Sequence, residues 1–271
     1  MRAQVFKQVD DLPESTHTLR ATPLPSLVRT DVERAEVAEA LVSLLEPASF
    51  AADQYRTLRH AVERLRKEAS LQVLVVSSPR PGDGKTITTL NLAGALAQGR
   101  NARVVVVDAD LRRPSVTEYL GLTSQRLPGL SEAILDPSFG LSRAARRLER
   151  FNLSVVPAGS PQSGSYELLN SPRLEDLLRE ARDLYDYVLI DTPPLVPLPD
   201  CRLVGRWADG FLVVVGAHKT PRRLLLEALG PLDPAKVIGV VFNGDDRPLS
   251  SYYGYNQYFT HADDRHTARR R

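Results

Sequence analysis

LQVLVVSSPRPGDGKT, residues 71–86, decides the fold. Its first seven residues form a short apolar run of the kind that makes a strand buried on both faces. SSPRPGDGKT (77–86) is a turn-rich segment, and TITTLNLAGALAQ (86–98) has helical composition. A strand, a glycine loop and a helix in that order predict a phosphate-binding loop. Gly82 and Gly84 let the backbone come close to phosphates with its N–H groups turned inward. Lys85 can bridge β- and γ-phosphates, the Thr86 hydroxyl can ligate Mg²⁺, and the helix N-terminus adds partial positive charge at the same point. Pro81, Gly82, Asp83, Gly84, Lys85, Thr86 and Ile87 are therefore the expected nucleotide contacts, with ATP and Mg²⁺ as cofactors. The general pattern G-x-x-x-x-G-K-[ST] asks for glycine at position 79, where this chain has Pro79. The competing reading is a tight Gly-Pro turn that leaves a lysine exposed.

Working outward, similar apolar runs recur at 103–108, 153–157, 187–191, 211–216 and 236–243, separated by helical stretches at 86–98, 166–182 and 221–229. This alternation predicts an α/β fold with a mostly parallel sheet flanked by helices. VVVVDADLRRP (104–114) puts Asp108 and Asp110 just past one strand, and YVLIDTPP (187–194) puts Asp191 at the end of another. Ligands of open α/β sheets bind outside the carboxyl ends of the strands, so these carboxylates can converge on the loop. Asp191 is then the expected Mg²⁺ ligand, directly or through water. Asp108 and Asp110 can supply a second metal contact and a base, with Asp108 the first choice of base and Asp110 supporting the metal or the base. Taken singly, each aspartate could equally cap a helix or turn.

Upstream, Thr30 and Glu33 form a capping box for a helix that Pro47 stops, with Val32, Ala35, Ala38, Leu41, Val42 and Leu45 on its apolar face. A second helix, about 52–68, repeats Tyr55, Leu58, Val62 and Leu65. Residues 1–29 read as a loosely docked arm, and the polar stretch after Asn243 reads as a mobile tail. The expected organisation is an arm and helix over 1–50, a phosphate-loop domain over 51–246 and a tyrosine-rich tail over 247–271.

Composition is that of an ordinary globular chain: 271 residues, 42% hydrophobic, 25% charged, formal net charge +2. Charge so near neutral gives no reason to expect a nucleic-acid partner. The single cysteine, Cys201, excludes an internal disulfide and suits a reducing, cytoplasmic compartment. The first fifteen residues lack a signal-peptide core, and no apolar stretch is long enough to cross a membrane. Any membrane role is thus expected to need a partner.

At this point the sequence resembles the bacterial tyrosine kinase (BY-kinase) family, of the cytoplasmic CpsD/CapB-like type. PGDGKT is similar to that family's Walker A loop, PGEGK[ST], in which proline at the glycine position is tolerated. VVVVDADLRRP is similar to its Walker A′ motif and DYVLIDTPP to its Walker B motif, within a phosphate-loop NTPase fold related to ParA and MinD. GLSEAIL (129–135), VVPAGSPQS (155–163), ELLNSPRLEDLL (167–178) and ADGFLVVV (208–215) follow the same pattern. Asp53, Arg56 and Arg59 resemble the E-x2-R-x2-R segment that joins subunits into a ring, with Asp in place of Glu; without the family they would read as a solvated helix face. Asn243 stands where related folds set an asparagine against adenine. The family's Asn-Pro before ELL is replaced by Gly164-Ser165.

SYYGYNQY (251–258) gathers Tyr252, Tyr253, Tyr255 and Tyr258, four of the chain's nine tyrosines. Such a cluster can dock as an aromatic patch, or it can be a phosphoacceptor tail, as the resemblance implies. The resemblance further implies an ATP-dependent, non-specific protein-tyrosine kinase that phosphorylates this tail between subunits of a homo-oligomeric ring. It implies control of exopolysaccharide or capsule synthesis and export, a protein-tyrosine phosphatase as counterpart, and recruitment to the inner face of the membrane. The recruiting partner would be a transmembrane polysaccharide chain-length regulator of the Wzz type. Two other readings stay open: a ParA/MinD-like positioning ATPase, against which Arg80 stands in place of a signature lysine, and a non-catalytic ATP-binding regulator.

Overall fold

The run at 73–77 is a strand with all five residues buried, at the centre of a computed structural model that describes residues 2–4, 27–31, 36–122, 127–161, 164–196 and 200–245. Its elements follow in chain order. The first half holds β1 (Arg2–Gln4), β2 (Val28–Arg29), α1 (Val42–Leu45), α2 (Phe50–Ala69), β3 (Val73–Ser77), α3 (Lys85–Ala97), β4 (Val104–Asp108) and α4 (Val116–Tyr119). Next come α5 (Leu130–Leu135), α6 (Leu141–Ala144), β5 (Arg146–Leu148), β6 (Leu153–Val156), α7 (Ser165–Leu169) and α8 (Pro172–Leu184). The last are β7 (Tyr187–Asp191), α9 (Asp200–Gly205), β8 (Gly210–Gly216), α10 (Arg222–Leu229) and β9 (Val237–Asn243).

These strands make one sheet in the order β1-β9-β8-β3-β7-β4-β6-β5-β2. From β9 to β6 every pairing is parallel. Antiparallel pairs occur toward the edges, β1 on β9 and β5 on β6. Successive side chains of a strand point to opposite faces, and the core divides accordingly. Val73, Val75, Val105, Val107, Val188 and Ile190 pack beneath α5 to α9. Leu74, Val76, Val104, Val106 and Leu189 pack against the side carrying α2, α3 and α4. The six runs expected as strands are β3, β4, β6, β7, β8 and β9, and the mostly parallel α/β sheet is the fold expected of them.

Local rules account for most helix boundaries. Ser49 caps α2 by accepting the Ala52 N–H at 3.2 Å, and α2 buries Ala52, Tyr55, Leu58, Val62 and Leu65 along one stripe. The single helix expected over 166–182 is two, because Ser171 and Pro172 start a new one: the serine is its N-cap and the proline its first residue. Upstream, among the described residues the helix expected to run up to Pro47 is the single turn α1; Glu33 of its proposed capping box lies outside the described residues.

At the amino ends of the strands, Asp209 holds the sheet to α8. Its Oδ2 accepts the N–H groups of Gln72 and Val73 at 2.8 and 2.7 Å, and Arg182 makes a two-pronged contact at 2.9 and 2.7 Å. Burial opposes the Asp209 charge, but Arg182 and the two amides outweigh it and hold the carboxyl below its usual 3.8. Asp209→Ala leaves the Gln72 and Val73 amides without their acceptor and Arg182 without its counter-ion, and is expected to cost about 2–4 kcal/mol in a urea melt. The stabilisation from the depressed carboxyl is complete above the unfolded value and is lost as pH falls through the lower folded one.

Candidate active site

The carboxyl ends of β3, β7 and β4 lie side by side, which brings the three sequence motifs together. Asp108 and Asp191 are direct register partners across β4 and β7, and Val76 of β3 pairs with Asp191. A cleft of about 560 Å³ opens above them. Its lining comprises Pro81, Gly82, Gly84, Lys85, Thr86 and Ile87 from the loop, with Asp110, Arg112, Arg113, Ser115 and Tyr119 on one side and Pro193, Pro194 and Val196 on the other.

Gly82 and Gly84 both have positive φ, +85° and +90°. At these angles side chains are strained and glycine is not. Gly84 also lies against Asn243: a Cβ there would stand 2.0 Å from the Asn243 Nδ2. That Nδ2 donates to the Asp83 carbonyl at 3.1 Å, so the asparagine expected beside adenine is a brace under the loop in this structure. Asp83 turns its side chain inward, accepting from Thr220 at 2.6 Å and Arg80 at 3.2 Å. Arg80, at the position of the signature lysine, is folded back within its own loop.

Lys85 and the acids form one network. Lys85 Nζ lies 3.1 Å from Asp110 Oδ2, 3.5 Å from Asp191 Oδ2 and 3.2 Å from Thr86 Oγ1. Thr86 donates its proton to Asp191 Oδ2 at 2.7 Å, and Thr89, one turn further along α3, donates to Asp191 Oδ1 at 3.2 Å. Burial works against the charge of Lys85, but Asp191 and Asp110 outweigh it and raise its pKa. Burial raises the Asp191 pKa against the pull of Lys85 and the Thr86 hydrogen bond. Asp108 is pushed up to about 8, first by burial and then by Asp191.

Position separates the acids. Asp108 is fully buried; one oxygen accepts the Asp110 N–H and the other the Val116 N–H, both at 3.1 Å. Asp110 lines the cleft and faces Lys85. The geometry thus favours Asp110 over Asp108 for contact with a reacting group, whereas the sequence pointed first to Asp108.

Among the described residues, no group of three His, Cys, Asp or Glu side chains closes on a metal. Mg²⁺ rarely needs such a cage: it keeps several waters and takes one or two protein oxygens together with substrate phosphates. Thr86 Oγ1 and the Asp191 carboxylate, in contact beside the phosphate loop, are hard oxygen donors that fit this pattern. Asp108, with both oxygens engaged by amides, fits it less well.

Several cleft features have no signature in the sequence. Ser115 reaches Thr86 at 3.1 Å. Arg112 is held by the fully buried Asp200 at 2.7 and 3.3 Å, across 88 positions of sequence. Leu195 and Val196 hydrogen-bond to the carbonyls of Ser78 and Pro79, tying the segment after β7 to the phosphate loop. By contrast Thr89 was discoverable, since it lies one helical turn from Lys85 and Thr86.

Of the proposed ring residues, Asp53 and Arg56 form an ion pair within the chain, and Arg59 pairs with Glu63 of its own helix at 2.7 Å and braces α2 against α3 through the Ala95 carbonyl at 2.9 Å. Tyr252, Tyr253, Tyr255 and Tyr258 lie outside the described residues. No described helix is long and apolar enough to cross a membrane.

Comparison with known proteins agrees with this geometry. The family described as "AAA domain" matches residues 71–216, from the start of the phosphate-loop segment to the end of β8. The tyrosine-protein kinase YwqD of Bacillus subtilis is 31% identical over 217 residues, 79% of this chain and 90% of that protein. The succinoglycan biosynthesis transport protein ExoP of Rhizobium meliloti is 32% identical over 205 residues, 74% of this chain but only 26% of that longer protein. The kinase domain of the Escherichia coli tyrosine kinase ETK superposes with a TM-score of 0.72 at 27% identity, covering 82% of this chain and 87% of that domain. With the Walker A, A′ and B residues assembled around one cleft, the chain belongs to the bacterial tyrosine-protein kinase family.

Proposed function

We propose that this kinase transfers the γ-phosphoryl group of ATP to Tyr252, Tyr253, Tyr255 and Tyr258 in the tail of a neighbouring copy. The observation that carries the reading is Lys85 set between Asp110 and Asp191 at the base of a glycine loop. Phosphoryl transfer needs positioning and charge stabilisation more than covalent chemistry. Lys85 and the loop amides stabilise the phosphate oxygens. Thr86 and Asp191 would hold Mg²⁺, which when bound neutralises charge on the phosphates. Asp110, at the cleft wall beside Lys85, is placed to accept the tyrosine proton. A phenol with a pKa of about 10 benefits from such a base at neutral pH. Asp108 supports both by fixing the Asp110 and Val116 amides. Asn243 lies next to the loop and is assigned a share in holding the base.

Asp53 and Arg56 are assigned to a ring contact, Arg59 supporting them from within the subunit. Phosphorylating four tyrosines adds roughly −6 to −8 charges per tail, enough to loosen such a ring by repulsion. A phosphatase would reset it. The ExoP relationship supports a role in exopolysaccharide synthesis and export, with a transmembrane chain-length regulator recruiting the kinase to the inner membrane face.

Mixing two variants tests transfer between copies. One carries Lys85→Met with an intact tail; the other has an active site but phenylalanine at the four tail positions. Phosphotyrosine on the first variant's tail is the expected result. Modification only when site and tail share one chain would contradict transfer in trans.

A further inference from the structure

Ser115 occupies the N-cap position of α4, where a serine ordinarily accepts a hydrogen bond from an amide two or three residues ahead. Here the side chain makes no such bond. Its Oγ lies instead 3.1 Å from Thr86 Oγ1, and Asp108 takes the Val116 amide. Thr86 has one hydroxyl proton and gives it to Asp191, so Ser115 is the donor and fixes the direction of the threonine hydroxyl.

The other end of α4 is held from outside the cleft. The Tyr119 carbonyl accepts the Ala38 N–H at 2.9 Å. Val37 and Leu41 are buried in one apolar cluster with Val116, Leu120 and Leu122. Gly121, at φ +69°, passes so near Glu36 that a Cβ would stand 2.7 Å from the Glu36 carbonyl oxygen. On α3, Asn91 accepts the Ser43 N–H at 2.8 Å and donates to the Ala40 carbonyl at 2.9 Å, while Gln98 donates to the Ser43 carbonyl at 3.0 Å. Residues 36–45 are thus seated on both α3 and α4, and α4 is a single rigid turn between that seat and Thr86.

We propose that residues 36–45 are a strap that positions Ser115, and through it the Thr86 hydroxyl, so that the seating of the strap sets how tightly ATP is held and how fast phosphoryl transfer runs. This rests on Thr86 being a contact of the nucleotide and its metal. Ser115 and the strap act through Thr86, as positioning residues. By linkage, a partner that lifts the strap weakens ATP binding, and ATP tightens the strap by the same factor.

Gly121→Ala tests this in the full chain, because one methyl pushes on the strap without entering the cleft. Ala38→Pro is the second variant: it deletes the N–H that meets Tyr119 and restrains the strap backbone at residues 37 and 38, again without entering the cleft. Each is expected to raise the ATP dissociation constant about 3- to 10-fold, as is Ser115→Ala. Combined with Ser115→Ala, neither should weaken binding beyond Ser115→Ala alone, because they act along one path. Multiplicative effects in the double variants, or a fall in Tm with ATP affinity unchanged, overturn the strap. Thr86→Val run alongside separates the two ways of failing: wild-type affinity in that variant removes the site assignment on which the strap depends, whereas weakened affinity leaves the strap to stand or fall on its own variants.

Discussion

Lys85→Met is expected to lower phosphotyrosine formation by about a hundred- to a thousandfold, the usual loss when a preorganised donor to transition-state charge is removed. The size follows from burial and placement. The ammonium is largely shielded from solvent, within 3.5 Å of two carboxylates, and it is the one cation the phosphate loop carries to the cleft floor. Methionine keeps the length and loses the charge. It also leaves Asp110 and Asp191 without their counter-ion, so a thermal melt must accompany the assay. Lys85→Arg keeps the charge but not the compact geometry. That variant should stay close to the wild-type Tm and still lose most of its activity. An arginine variant as active as wild type would show that charge alone suffices and that the geometry argued for Lys85 is wrong.

Gly84→Ala is expected to weaken ATP binding by roughly 10- to 100-fold, two independent penalties acting at one atom. A residue with a side chain at φ +90° stores about 1–3 kcal/mol of backbone strain. The new methyl also meets the Asn243 amide at 2.0 Å, displacing the brace that holds the Asp83 carbonyl. Gly82→Ala separates the two. Its φ is nearly the same, +85°, but nothing lies within 4 Å of a Cβ there, so it should show the strain penalty alone. Isothermal titration with an ATP analogue would measure both. Equal losses at the two glycines would mean that the Asn243 contact contributes nothing, and adding Asn243→Ala to Gly84→Ala should then give no rescue.

The part of the molecule legible from sequence is the part in which neighbours in space are neighbours in the chain or share a strand end. The β3 segment, its loop and α3 are contiguous, and their chemistry follows from glycine geometry and a helix terminus. Asp108 and Asp191 were legible because strand ends in a parallel sheet converge. What escaped was of two kinds. Short strands near the sheet's edge carry little apolar signal: β5 is Arg-Arg-Leu, and its buried Arg146 is matched to the carbonyls of Arg143, Ala144 and Ala145 at the end of α6, so a charged residue stands where a strand pattern asks for an apolar one. The second kind is the long-range polar pair. Ser115 with Thr86, Arg112 with Asp200 and Asn243 with Asp83 are set by topology, and no local spacing announces them. The placement of Asp110 rather than Asp108 on the cleft has the same origin, since only three-dimensional structure shows which carboxylate reaches it.

Mass-spectrometric mapping of phosphotyrosine on the purified chain, incubated with Mg-ATP and the proposed membrane regulator, tests the central claim most directly. Modification at Tyr252, Tyr253, Tyr255 or Tyr258, absent in Lys85→Met, is the predicted result; ATP turnover with no phosphotyrosine in the tail would contradict it.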